Sequence, residues 1–308
     1  MFDAGRSRSE AVARQHCQIQ SGGKHHARRK DKEYMDEKRI DCLKETARRV
    51  RVGIIDAVYS ASSGHPGGSL SIADLLTYLY FEKMNIDPKN PEMEERDRLV
   101  LSKGHCAPGL YSVLAQRGFI PVEDLKTFRK TASYLQGHPD MKHTPGVDMS
   151  SGSLGQGTSV SCGMALSGKM DGKGYRVYAI LGDGETEEGQ VWEAAMFASH
   201  YSLSNLCWIV DLNGLQIDGP IKEVMDPTPH DEKFRAFGWN VLDADAHDFE
   251  SLDAAFTAAE KCTDRPSVII AHSVKGCGVS FMENNVAWHG AAPNAEQYEI
   301  AMCDLGER

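Results

Sequence analysis

Apolar residues at Leu43, Ala47, Val50, Ile54 and Ala57 recur at the helical period, and the glycine-rich "SASSGHPGG" predicts where that helix stops. A second helix is expected through "SIADLLTYLYFEKM", and others at "APGLYSVLAQRG", "TSVSCGMALSGKM" and "TEEGQVWEAAMFASHY". Between them lie short, nearly continuous apolar runs: "DRLVLSKGH", "YRVYAIL", "NLCWIVDLN", "WNVLDAD" and "PSVIIAH". Strands of that kind are buried on both faces, and their alternation with helices predicts an α/β domain. The expected fold is a doubly wound, mostly parallel sheet covered by helices on both sides. No internal repeat interrupts the pattern, so residues 35–308 read as one domain.

Composition narrows the possibilities. No apolar run of this 308-residue chain is long enough to span a bilayer, and no secretory apolar core opens it, which predicts a cytoplasmic protein without a membrane partner. Its eight cysteines are scattered without a CxxC pair, so reduced thiols are expected, with neither disulfides nor structural zinc. The net charge is −10, but residues 1–34 hold eight Lys or Arg against four Asp or Glu, leaving −14 on the remainder. An acidic body argues against a nucleic-acid partner. The basic head lacks apolar periodicity and reads as a disordered tail. Because ordered patterning starts at Met35, residues 1–34 are expected to be an upstream extension of a protein that begins there.

One strand runs straight into "LGDGETEEG", residues 181–189, which crowds Asp183, Glu185, Glu187 and Glu188 among three glycines. In open α/β sheets ligands bind beyond the carboxyl ends of strands. The next strand ends in "IVDLNGLQIDG", which would place Asp183 and Asn213 at neighbouring strand tips. A carboxylate and an amide oxygen are hard ligands suited to Mg²⁺ or Ca²⁺, whose other positions go to water or phosphate. Gly182 and Gly184 let backbone approach an anion without a Cβ in the way.

Together, GDG and the asparagine thirty residues on resemble the diphosphate-binding motif of thiamine-diphosphate enzymes. That resemblance implies metal ligation by Asp183, Asn213 and the carbonyl of Leu215, with Glu185 beside the cofactor in the same turn. Five further motifs are similar to those of transketolases, and the likeness runs from about residue 40 to residue 290. "SGHPGGSLS" holds His65, "SKGH" holds His105, "QGHPD" holds His138 and "WHG" holds His289. "SGSLGQG" supplies Gly152, Ser153, Leu154 and Gly155, and resembles the loop touching the thiazolium and diphosphate. The family implies that His65, His138 and His289 meet the sugar or reaction centre and that His105 and His289 lie by the cofactor. Imidazoles suit this work because they donate or accept a proton near neutral pH. It also implies that Glu188 and Glu193 belong to an acidic network between paired sites, and that the apolar helix around them is buried between subunits. His200, His230 and His247 have no motif and read as structural, and Trp192 reads as core. Leu212 and Ser151 depart from the family pattern without removing a ligand.

Full-length transketolases carry a second, pyrimidine-binding domain with the glutamate that activates the cofactor, and no second α/β unit is found before Arg308. The resemblance therefore implies the N-terminal subunit of a split transketolase acting on sugar phosphates. A separate C-terminal subunit would complete it, in a heterotetramer. Another thiamine-diphosphate enzyme, such as a deoxyxylulose-phosphate synthase, and a non-catalytic orphan cofactor-binding module remain alternatives.

Overall fold

A computed structural model of the protein describes residues 35–307; the tail expected over residues 1–34 lies outside them. Helix α1 spans Glu37–Ala61, capped at its start by the Asp36 carboxylate and ended by Ser62 in the left-handed conformation (φ 51°). Its periodic residues Leu43, Ala47, Val50, Ile54 and Ala57 are all fully buried. The helix expected over 71–84 is two pieces, Ala73–Tyr78 and a π-helical turn at Leu79–Lys83, and the glycine-rich stretch before it forms a further short helix, Pro66–Ser71.

Strand β1 (Arg98–Leu101) leads into α2 (Ala107–Arg117), and α3 (Gln156–Met170) precedes β2 (Val177–Gly182). The next helix, α4, starts at Gly189 and runs to His200, later than the sequence pattern indicates. Residues Gly184–Glu187 form a separate 3₁₀ turn and Glu188 is extended (ψ 126°), because the carboxylates there turn to different partners. Strand β3 (Leu206–Leu212), β4 (Asn240–Asp245), α5 (Phe249–Lys261), β5 (Ser267–His272) and α6 (Ala295–Asp304) complete the domain.

The five strands of the main sheet are parallel, in the order β1-β2-β3-β5-β4, and Leu215–Gln216 pairs antiparallel with Gly219–Pro220 in a separate small sheet. Side chains alternate between two cores, as strand geometry requires. Tyr178, Ile180, Cys207, Ile209 and Ile269 pack beneath α1, α2 and α5. Val177, Ala179, Leu181, Trp208 and Val210 pack beneath α3, α4 and the short helix His230–Ala236. Trp192 flanks the second core, stacked on Phe237 with its Nε1 donating to the Thr186 carbonyl. Among the described residues no helix is long and apolar enough to cross a membrane.

Among the described residues six cysteines are free, but Cys42 is disulfide-bonded, which corrects the expectation that every thiol is reduced. Its side chain is half-buried near the start of α1 and so accessible to disulfide formation, whereas Cys106 and Cys207 are fully buried.

The central β3 position is the most demanding for packing. Trp208→Ala should cost ~3–5 kcal/mol in urea unfolding. Met196→Ala, on the exposed side of α4, should change stability by less than ~0.5 kcal/mol in the same measurement.

Candidate functional site

The register of β2 on β3 pairs Gly182 with Asp211, so Asp183 and Asn213 leave adjacent strand tips. Asp183 is buried, and its two oxygens accept from the Gly184 amide (2.8 Å) and the Gly214 amide (2.5 Å). Burial and the nearby Asp211 carboxylate push its pKa up to about 6. Among the described residues no basic side chain forms an ion pair with it.

Beneath this turn lies a second, fully paired carboxylate. Asp211 accepts from Lys103 Nζ (2.5 Å), Ser71 Oγ (2.7 Å), Asn213 Nδ2 (2.8 Å) and the Ser273 hydroxyl. Burial opposes its charge, yet Lys103 and the hydroxyl donors outweigh that and hold its pKa below the usual carboxylate range. For Lys103, burial likewise opposes the charge, and Asp211 outweighs it to raise the pKa. Because Asp211 holds the Nδ2 of Asn213, the amide can present only its Oδ1 to a ligand; that oxygen accepts the Leu215 amide at 3.1 Å.

Three imidazoles converge above. The ring centroids of His65, His105 and His289 lie 5.1–5.6 Å from one another. Burial, with cationic neighbours second, lowers all three: His65 to about 4, His289 to about 3 and His105 well below its ordinary value. Lys275 Nζ donates to the Leu215 carbonyl (2.8 Å) and to His289 Nδ1 (3.0 Å), which leaves the His289 proton on Nε2. His138 stands to one side against Gly152, where an added Cβ would lie 3.0 Å from its Cδ2.

Residues 42–307 match the family described as the thiamine diphosphate binding domain of transketolase. The chain belongs to the transketolase family. It is 44% identical over 271 residues to the 6-deoxy-6-sulfo-D-fructose transketolase subunit SqwG of Clostridium sp. strain MSTE9, covering 88% of this chain and 98% of that one. It is 41% identical over 269 residues to an apulose-4-phosphate transketolase subunit of Phocaeicola vulgatus, covering 87% and 95%. The crystal structure of Campylobacter jejuni transketolase superposes with a TM-score of 0.83 at 35% identity, covering 88% of this chain but 43% of that longer chain.

The residues of this transketolase chain suit a metal diphosphate. A buried carboxylate without a counter-ion, an oriented amide oxygen and the Leu215 carbonyl, which already accepts a cationic ammonium, form a hard-oxygen donor set. The glycines close the cradle: a Cβ at Gly104 would lie 2.7 Å from the Gly152 amide nitrogen, and one at Gly155 3.0 Å from Glu188 Cβ. Asp183, Asn213 and the Leu215 carbonyl would hold the metal, with Lys275, His105 and His289 nearest as donors to a diphosphate.

Other expected positions divide. Glu185 is buried, and it accepts from Ser102 Oγ (2.5 Å), the Gly155 amide (2.9 Å) and the Gly182 amide (3.0 Å). Its carboxylate therefore ties the two glycine loops together and is consumed in doing so. Glu187, Glu188 and Glu193 are exposed, as are Ser153 and Leu154 at the rim. His230 takes part in support of the site, with Nε2 3.0 Å from Thr186 Oγ1, which itself donates to the Asp183 carbonyl. Lys103, Asp211 and Lys275 were not singled out from the sequence. Each is a charged residue at the end of an apolar strand, in "LSKGH", "IVDLN" and "AHSVKG", and that was the available signal.

Two outcomes follow from these charges. Lys103→Met should cost ~3–5 kcal/mol by leaving Asp211 buried and unpaired, and adding Asp211→Leu should recover most of it in urea unfolding. In acid, the folded chain keeps His65 and His289 neutral at pH 5 while the unfolded chain protonates them near pH 6.5, and burial lowers His105 in the same direction. Unfolding at pH 5 should then take up about two protons from His65 and His289, so their contribution to stability falls as the pH drops from 7 towards 5. His289→Asn should reduce the uptake by about one proton, read from the pH dependence of urea midpoints.

Proposed function

We propose that the protein is the diphosphate- and metal-binding subunit of a two-chain transketolase. It would use Mg²⁺, or Ca²⁺ in its place, with thiamine diphosphate to move a two-carbon ketol unit from a ketose phosphate to an aldose phosphate. The observation that carries this reading is the buried, counter-ion-free Asp183 beside the oriented Asn213, beneath a cluster of neutral imidazoles. A separate C-terminal subunit supplies the pyrimidine-binding half, in a heterotetramer. Two relatives named as transketolase subunits, which this chain covers almost end to end, support that arrangement. The buried free thiols are compatible with the cytoplasm as its location.

Cleaving the carbon–carbon bond next to a ketone is the chemistry that thiamine diphosphate supplies when bound. This chain's residues bind and orient. His289, with Lys275 on Nδ1, offers an Nε2–H donor and stays neutral, so it can stabilise charge developing on a substrate oxygen. His65 and His138 are neutral at pH 7 and can pass a proton to or from a sugar hydroxyl. His105 contributes one wall of the cofactor cradle. Exposed Met196, Phe197 and Tyr201 around α4, with Glu188 and Glu193, support an intersubunit role for that helix.

Thermal melting of the chain tests the cradle. Mg²⁺ and thiamine diphosphate together should raise the melting temperature, by about 2.7 kcal/mol of added stability at a hundred times the dissociation constant. Either ligand alone should do much less, and Asp183→Ala should abolish the rise. If the variant responds as the wild type does, Asp183 is not a ligand.

A further inference from the structure

Arg129 is a charged residue that none of the roles above uses. It lies in the turn after Phe128, with φ 59°, a left-handed conformation that side-chain-bearing residues seldom adopt. Its amide donates to the Leu135 carbonyl at 2.9 Å and closes the loop 129–135. Backbone held in this way at a non-glycine residue is kept where the side chain has a task.

The guanidinium reaches two histidine loops at once. Nη1 donates to Ser63 Oγ at 2.8 Å, two residues before His65. The rest of the fork lies flat on Gly137, immediately before His138: an added Cβ there would sit 3.0–3.1 Å from Nε, Cζ and Nη2. Phe128 reinforces the first contact, since a Cβ at Gly64 would lie 3.2 Å from its ring edge. Arg129 Nε is buried without a hydrogen-bond partner, and no carboxylate among the described residues forms an ion pair with the group. The guanidinium carbon lies 5.4 Å over the Phe128 ring, so the half-buried cation is steadied by an aromatic face and not by a carboxylate, and its field reaches the groups beside it.

We propose that Arg129 is a positioning residue of the transketolase site, a clamp whose guanidinium joins the His65 and His138 loops into one unit. The proposal rests on the reading that these histidines serve the sugar. After burial, Arg129 is the neighbour that most lowers the pKa of each ring. The other groups facing His65 are His138 and Lys275, with the rings of His105 and His289 in contact. Lysine at 129 would keep the charge but lose the planar fork that fits between a hydroxyl and a glycine.

The test uses the full chain with isotopically labelled histidine, comparing wild type, Arg129→Gln and Arg129→Lys without cofactor, partner or sugar. NMR titration should show His65 and His138 in Arg129→Gln shifted up by about half a unit or more, while Arg129→Lys retains most of the low values. Amide exchange at residues 63–66 and 135–139 should accelerate about tenfold in both variants, with the sheet unchanged. Unchanged imidazoles in Arg129→Gln, unchanged exchange in the two loops, or a loss of protection spread evenly through the chain would each overturn the proposal. Since no readout involves catalysis, failure of the ketol-transfer reading leaves these outcomes as they stand.

Discussion

Everything at the strand tips depends on the ion pair between Lys103, just beyond β1, and Asp211 in β3. The two residues sit on strands separated by β2, and the lysine stem must cross that strand to reach its partner. It does so at Gly182, where an added Cβ would come 3.7 Å from Lys103 Cδ. The glycine thus serves both sides of the sheet edge, leaving room for the lysine below and for ligand backbone contacts above. Such a pair is a poor source of stability, because desolvation offsets much of its Coulombic gain. What it supplies is orientation: Asp211 fixes the Asn213 amide, and Lys103 Nζ also holds the Gly68 carbonyl at 3.2 Å in the segment just after His65.

Charge balance follows the same logic. The site concentrates Lys103, Lys275 and Arg129 around the half-buried imidazoles of His65, His105 and His289 and the more exposed His138. Cations beside a buried imidazole keep it neutral, so the proton that each ring holds is placed by its neighbours and not by the solvent pH. His289 illustrates this most clearly, since the ammonium on its Nδ1 determines which nitrogen carries the hydrogen.

The sheet and the meeting of Asp183 with Asn213 at adjacent strand tips were legible in the sequence because both depend on local signals. A run such as "YRVYAIL" is a buried strand wherever it falls, and a GDG turn followed one β-α-β unit later by an asparagine places a carboxylate and an amide side by side. The hydrogen bonds of Glu185 were not legible because its partners, Ser102 and Gly155, are 83 and 30 residues away, and no periodicity reports on contacts of that range. Lys275 and Arg129, with partners 60 and 66 residues away, were missed for the same reason. The late start of α4 was hidden because the carboxylates look like a favourable first turn until Asp183 and Glu185 turn inward.

The separation of those partners along the chain has a consequence for how the protein acquires its site. Lys103 and Asp211 are 108 residues apart, and Ser71 and Asp211 are 140 apart. Parallel pairing of β1 with β2 and β3 requires long loops to close before any contact rewards them, which slows folding relative to local structure. Helix α1 and the hydrophobic cores can gain order from nearer neighbours, whereas the cradle exists only once residues from across the chain have met. On a ribosome, no part of the Asp211 cluster can form until the first two-thirds of the polypeptide has emerged, so cofactor binding reports on completion of the fold and not on its beginning.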